Sequence, residues 1–119
     1  MQLPTPEQVE MMMTQKFGEL PEAIKSAKEV DASFLTEQAV SSKFSTNSEA
    51  NALDAKTTTL VFLAAALARG NSECIEVNTK ALLKMGASKE EILSVVRIVR
   101  HAAFSGVVGD AKAIFDLLK

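Results

Sequence analysis

The sequence predicts an all-α protein of six or seven helices in a single domain spanning residues 1–119. Three observations predict it. Cap and stop residues recur at helical lengths along the whole chain, apolar residues repeat at i, i+3 and i+4, and strand-like alternation is absent. A chain of 119 residues is long enough for one modest core and too short for two.

The elements follow in order. Thr5-Pro6-Glu7-Gln8 supplies an N-cap, a proline in the first turn and a glutamine at the capping-box position. Val9, Met12, Met13, Phe17 and Leu20 carry the first helix until Gly18 and Pro21 interrupt it. A short second helix runs from Pro21 to about Val30, and Asp31 caps a third that carries Phe34, Leu35, Val40 and Phe44. The polar stretch from Ser45 to Asn51 reads as a loop. Asp54 caps a fourth helix, with Leu53 placed as a hydrophobic staple towards Thr58. From Leu60 to Ala68 that helix is apolar on every side, the mark of a central buried element, and Gly70 ends it. A fifth helix starts at Asn71 or Ser72 and ends at Gly86. Ser88 and Glu91 form the capping box of a sixth, expected to stop near Ser105 before Gly106. Its apolar face is Ile92, Val95, Val96, Val99, Ala102 and Ala103. Asp110 is expected to cap a last helix containing Ile114, Phe115, Leu117 and Leu118.

Composition narrows the function classes. The net charge is −2, Lys and Arg are scattered, and Trp and Tyr are absent, so neither a phosphate-attracting field nor a stacking platform exists for nucleic acid. The longest apolar run, Leu60 to Ala68, is shorter than the ~20 residues a bilayer span requires, so no membrane partner is expected. The chain shows no basic n-region followed by an apolar core, and a lone cysteine forms no internal disulfide; both fit a cytoplasmic protein. A hydrophobic share of 47% is high for a small soluble domain and points to self-association.

Two residues carry most of the possible chemistry. Cys74 falls in the first turn of the fifth helix, where free N–H groups and the positive end of the helix dipole stabilise a thiolate. Glu73 and Glu76 oppose that ionisation, and Arg69 offsets them only by folding back. The alternative reading of Cys74 is a small buried apolar residue. His101 is the only histidine and shares a polar stripe with Glu90, Ser94, Arg97 and Ser105, opposite the Val/Ile face. Its plain reading is a solvated surface residue; its chemical reading requires a subunit cleft that brings it to Cys74. Met11-Met12-Met13 reads as core or interface filler. No His, Cys, Asp and Glu cluster has metal-ligand spacing, and no glycine-rich phosphate loop or cofactor motif is present.

The stretch from Cys74 to Leu82, followed by Met85-Gly86-Ala87-Ser88-Lys89-Glu90-Glu91-Ile92, resembles the core of the carboxymuconolactone decarboxylase/AhpD-like (alkylhydroperoxidase-like) family. In that family the pattern reads C-x-x-C-x-x-x-H-x-x-x-A-L-x-x-G-A-S-x-E-E-I. Leu53-Asp54-Ala55-Lys56-Thr57 resembles the family's L-D-x-K-T lead into the central helix, and Phe17-Gly18-Glu19-Leu20-Pro21 its N-terminal G-x-x-P turn. The resemblance implies an AhpD-like helical domain that assembles into trimers or hexamers. It also implies where the reactive groups belong. The second motif cysteine falls on Cys74, the first on Asn71, the histidine on Asn78, and the glutamate that follows K-T-R in many relatives on Thr59. In AhpD-like peroxidases the two cysteines cycle through a disulfide while the glutamate and histidine move protons. An amide or hydroxyl at those positions does not exchange a proton near neutral pH.

Three functions are therefore carried forward. One is a one-cysteine thiol redox protein acting on peroxides or electrophiles through Cys74, with an external thiol as reductant. Another is a non-catalytic oligomer that keeps the fold for ligand or partner binding. The third is a lactone decarboxylase, disfavoured because its histidine position holds Asn78.

Overall fold

The computed structural model describes residues 2–46, 49 and 51–119. Seven helices and no strand occur among them: α1 Pro6–Phe17, α2 Glu22–Val30, α3 Ser33–Thr46, α4 Ala55–Arg69, α5 Ser72–Lys84, α6 Lys89–Asp110 and α7 Lys112–Leu118. The expected start signals operate as local chemistry predicts. Thr5 accepts from the Gln8 N–H while the Gln8 side chain accepts from the Thr5 N–H, closing a capping box on α1. Ser88 and Glu91 do the same on α6. Asp54 Oδ1 accepts from the Thr57 N–H at 2.7 Å, which holds its carboxyl below the usual range. Gly70, at φ 73°, turns the chain out of α4 and donates to the Ala66 and Leu67 carbonyls.

The central packing places α5 and α6 against one side of α4. Leu63 of α4, Leu82 of α5, Ala87 of the turn between α5 and α6, and Val95 of α6 form the buried cluster, flanked by Leu60, Ala64, Ile75, Ile92 and Val99. Lys56 and Glu91 join the N-terminal turns of α4 and α6 at 2.8 Å. At the other end, α1 and α2 pack on α3, with Val9 and Leu35 buried, and α1 also meets α5. Lys84 Nζ donates to the Gln15 carbonyl near the end of α1, and Glu73 Oε1 accepts from the Ala23 N–H in the first turn of α2.

Several expectations are corrected. The loop expected from Ser45 begins later, because α3 continues through Thr46; Asn47, Ser48 and Ala50 lie outside the described residues. α4 is not buried all round. Its Leu63 side is buried, but Val61 is 53% and Phe62 39% exposed, because no described element packs closely over that side. Leu53 remains 44% exposed, so the staple is not buried. Met11 and Met12 are exposed on α1 and are not core.

The largest correction concerns α6. Gly106 does not end it; the helix runs to Asp110, with Gly106 and Gly109 inside and neither at positive φ. Without a left-handed turn, glycine costs a helix only about 1 kcal/mol, which helical residues on both sides outweigh. Asp110 therefore belongs to α6 and does not cap α7, whose first turn has no side-chain cap. Packing against the body ends at Val99. From Arg100 to Asp110 every residue is exposed, including Ala102 and Ala103, as is all of α7. α6 is long and apolar enough to cross a membrane by length and composition, beyond what its broken apolar runs suggest. Arg97, Arg100 and His101 sit near its middle, and a central arginine costs insertion ~2.5–3.5 kcal/mol.

Leu82→Ala removes a fully buried side chain and is expected to lower stability by about 2–5 kcal/mol, whereas Ser88→Ala loses a cap and costs about 1 kcal/mol, both measured by urea unfolding. The Lys56 ammonium, followed by the Ser88 backbone, holds the Glu91 carboxyl below its usual range. Its contribution is therefore complete above the ordinary carboxylate value and lost as pH falls through the lowered one. The stability gap between wild type and Glu91→Gln is expected to close as pH falls below the ordinary carboxylate value, followed by urea unfolding at a series of pH values.

Candidate functional site

Cys74 lies at the third position of α5 because Gly70 reverses the chain and Asn71 restarts it. The Asn71 side chain accepts from the Cys74 N–H at 3.2 Å, so the residue at the first-cysteine position of the family motif acts here as a helix cap. Cys74 is half-buried, and no disulfide partner exists in the sequence.

The thiol-bearing residue lines a cavity of about 370 Å³ between the end of α3, one side of α4 and the start of α5. Leu53, Val61, Phe62 and Ala65 make its wall apolar, Asn51 and Thr58 supply hydroxyl and amide groups, and Arg69 is the one charged residue on its described lining. Asn51 Nδ2 donates to Thr58 Oγ1 at 3.0 Å, which fixes the polar end. An apolar cleft with few convergent polar groups is the usual form of a small-molecule site.

Glu73 and Glu76 stand away from this cavity. They line a second, smaller cleft with Phe17, Pro21 and Lys80, where Glu73 caps α2 and Glu76 pairs with Lys80 at 3.0 Å. The sequence places both carboxylates next to Cys74, but the helix turns them to another side, and Arg69 takes their place beside the thiol's cavity. Spacing along α5 carried that signal, since successive helical residues do not share a face.

The other family positions are tied to the backbone. Thr59 is buried and its Oγ1 donates to the Ala55 carbonyl at 2.8 Å. Asn78 Nδ2 donates to the Cys74 carbonyl, also at 2.8 Å. Neither lines the Cys74 cavity. His101 is exposed on the projecting half of α6 and does not line it either. The structure thus brings Asn71 and Cys74 together and leaves Thr59, Asn78 and His101 outside the cavity. Sequence reasoning missed Val61, Phe62 and Ala65, which become a wall only once the start of α5 is set beside them, whereas Arg69 was singled out and does line the cavity. Among the described residues no group of His, Cys, Asp and Glu has the arrangement to hold a metal ion.

Among the described residues, seven helices, a capped central pair and a half-buried cysteine at a helix start make an all-α domain. The sequence model of the carboxymuconolactone decarboxylase family matches residues 35–117, and the chain belongs to that family. No curated protein matches the chain significantly.

Ala65 is exposed on the cavity wall, so Ala65→Trp is expected to fill the cavity while leaving the helical circular dichroism unchanged. Native Cys74 in that variant should be alkylated more slowly by N-phenylmaleimide than in wild type, with equal rates after unfolding. Equal native rates would mean that the thiol is reached from elsewhere.

Proposed function

We propose that the protein is a one-cysteine thiol protein that acts through Cys74 on apolar hydroperoxides or electrophiles held in the adjoining cavity. The observation that carries this reading is the half-buried Cys74 in the first turn of α5, lining an apolar cavity on whose described lining Arg69 is the one charged residue. The thiolate form of a cysteine is the nucleophile. With a hydroperoxide, the sulfur attacks the outer peroxide oxygen and the O–O bond breaks. The alkoxide takes a proton and leaves as an alcohol, and Cys74 becomes a sulfenic acid. One external thiol then displaces water to form a mixed disulfide, and a second releases Cys74 as that disulfide is exchanged. Asn71 offers no resolving sulfur, so the reductant comes from outside the chain.

The second reading is a non-catalytic ligand-binding oligomer. It is favoured by Thr59 and Asn78, whose side chains are bound to backbone carbonyls and relay no proton. Lactone decarboxylation has the least support, for the same reason at Asn78. Both leading readings include self-association through the bare apolar surface of α6 and α7, in a cytoplasmic protein with neither membrane nor nucleic acid as partner.

Peroxide treatment of wild type is expected to yield a sulfenic acid at Cys74, trapped by dimedone and absent from Cys74→Ser. Steady turnover with a dithiol should stay slow. Asn71→Cys alone is expected to allow disulfide formation without fast turnover. Adding Asn78→His and Thr59→Glu should raise the rate, since proton delivery is worth roughly 10²–10⁴-fold. Absence of any dimedone adduct, with an apolar ligand still bound in the cavity, would leave the binding reading in its place.

A further inference from the structure

The half of α6 beyond Val99, with α7, forms an arm with an apolar surface and no body beneath it. Phe104 is 65%, Val107 67%, Ile114 59% and Leu117 86% exposed. The chain exposes 8470 Å², whereas a compact chain of 12.8 kDa exposes roughly 6,300 Å². Its radius of gyration is 18.0 Å, against ~13.5 Å for a compact domain of this length. The excess of roughly 2,200 Å² is well above the ~800 Å² that each partner gives to a standard interface. It is the amount that an obligate assembly of identical chains buries.

A second bare apolar surface lies elsewhere on the same chain. Val61, Phe62, Ala65 and Arg69 are exposed as a stripe along α4 at i, i+1, i+4 and i+8, on the open side of the Cys74 cavity. Pairing of two arms with each other covers the arms and leaves this stripe in water. Seating the arm of one chain on the α4 stripe of another covers both with one repeated contact, and such head-to-tail contacts close into rings.

We infer that the α6–α7 arm of a second copy lies over the α4 stripe and closes the open side of the Cys74 cavity, so that the site is complete only in the assembly. The inference deepens the proposed function by naming what covers its cavity, and it rests on that reading only for the use of the site. The arm acts as a roof: it excludes water from the apolar wall and narrows the entrance beside Arg69.

The test uses the full chain and no peroxide, so loss of turnover and loss of the composite site are read separately. Phe115→Cys adds one cysteine to the arm beside the native Cys74. A short bismaleimide is expected to join Cys74 of one chain to the introduced cysteine of another, seen as a multiple-chain band and located by peptide mass spectrometry. Links confined to pairs of introduced cysteines would show arm-to-arm pairing and overturn the inference. So would links within single chains only. As a second measurement that needs no substitution, wild type is diluted while its mass is followed by light scattering. Cys74 alkylation by N-phenylmaleimide should accelerate several-fold as the assembly dissociates. A rate that stays constant through dissociation, or a monomer at every concentration, would overturn it as well.

Discussion

The packing of α5 and α6 on one side of α4 is the contact on which the rest of the molecule depends. Leu82 is fully buried and Leu63 nearly so, and together with Ala87 and Val95 they join three helices that are individually marginal in water. Because burial is one-sided, α4 keeps a second apolar side free. The start of α5 borders that side, and the turn at Gly70 and Asn71 sets Cys74 at the edge of the cavity there. Core and candidate site are thus two faces of one helix.

The helical framework is held by local backbone chemistry. Capping boxes, the Gly70 turn and the Ser88–Glu91 start are matters of backbone geometry, and they hold the same helices whether or not chemistry follows. Thr59 and Asn78, where the resemblance would place a glutamate and a histidine, are tied into their own helices. Each short polar side chain turns back to a carbonyl one helical turn earlier, which satisfies a donor within the helix. Asn71 has a more active structural part, because an asparagine cap stabilises the helix start that presents the cysteine. On the proposed reading, a thiol in a chain whose Thr59 and Asn78 are tied to backbone carbonyls supports slow, externally reduced chemistry, and ligand binding equally well.

The arm gives the molecule its most unusual physical property, a run of large apolar side chains from Phe104 to Leu118 exposed with no body beneath them. Its two glycines do not break it, since helical residues on both sides continue the hydrogen-bonded ladder through them. Over its packed half the helix is two-faced, with Glu90, Ser94, Arg97 and His101 opposite Val95 and Val99, and beyond it Phe104 and Val108 fall on the polar side. Such a helix is suited to lying against another protein surface, with its charges turned to water.

By itself the sequence determined the fold class, the N-caps at Thr5, Asp54, Asn71 and Ser88, and the family. All of these are written in residues within a few positions of one another, where backbone hydrogen bonding and helical periodicity act locally. The position of Cys74 in the first turn of α5 was legible for the same reason. Only the tertiary structure decided which side of α4 is buried, that Glu73 and Glu76 point away from the thiol's cavity, that Arg69 stands at it, and that α6 continues past Gly106 into open solvent. Those features depend on which helices return to pack on which faces. A run that is apolar all round, such as Leu60 to Ala68, does not say which of its sides meets a neighbour.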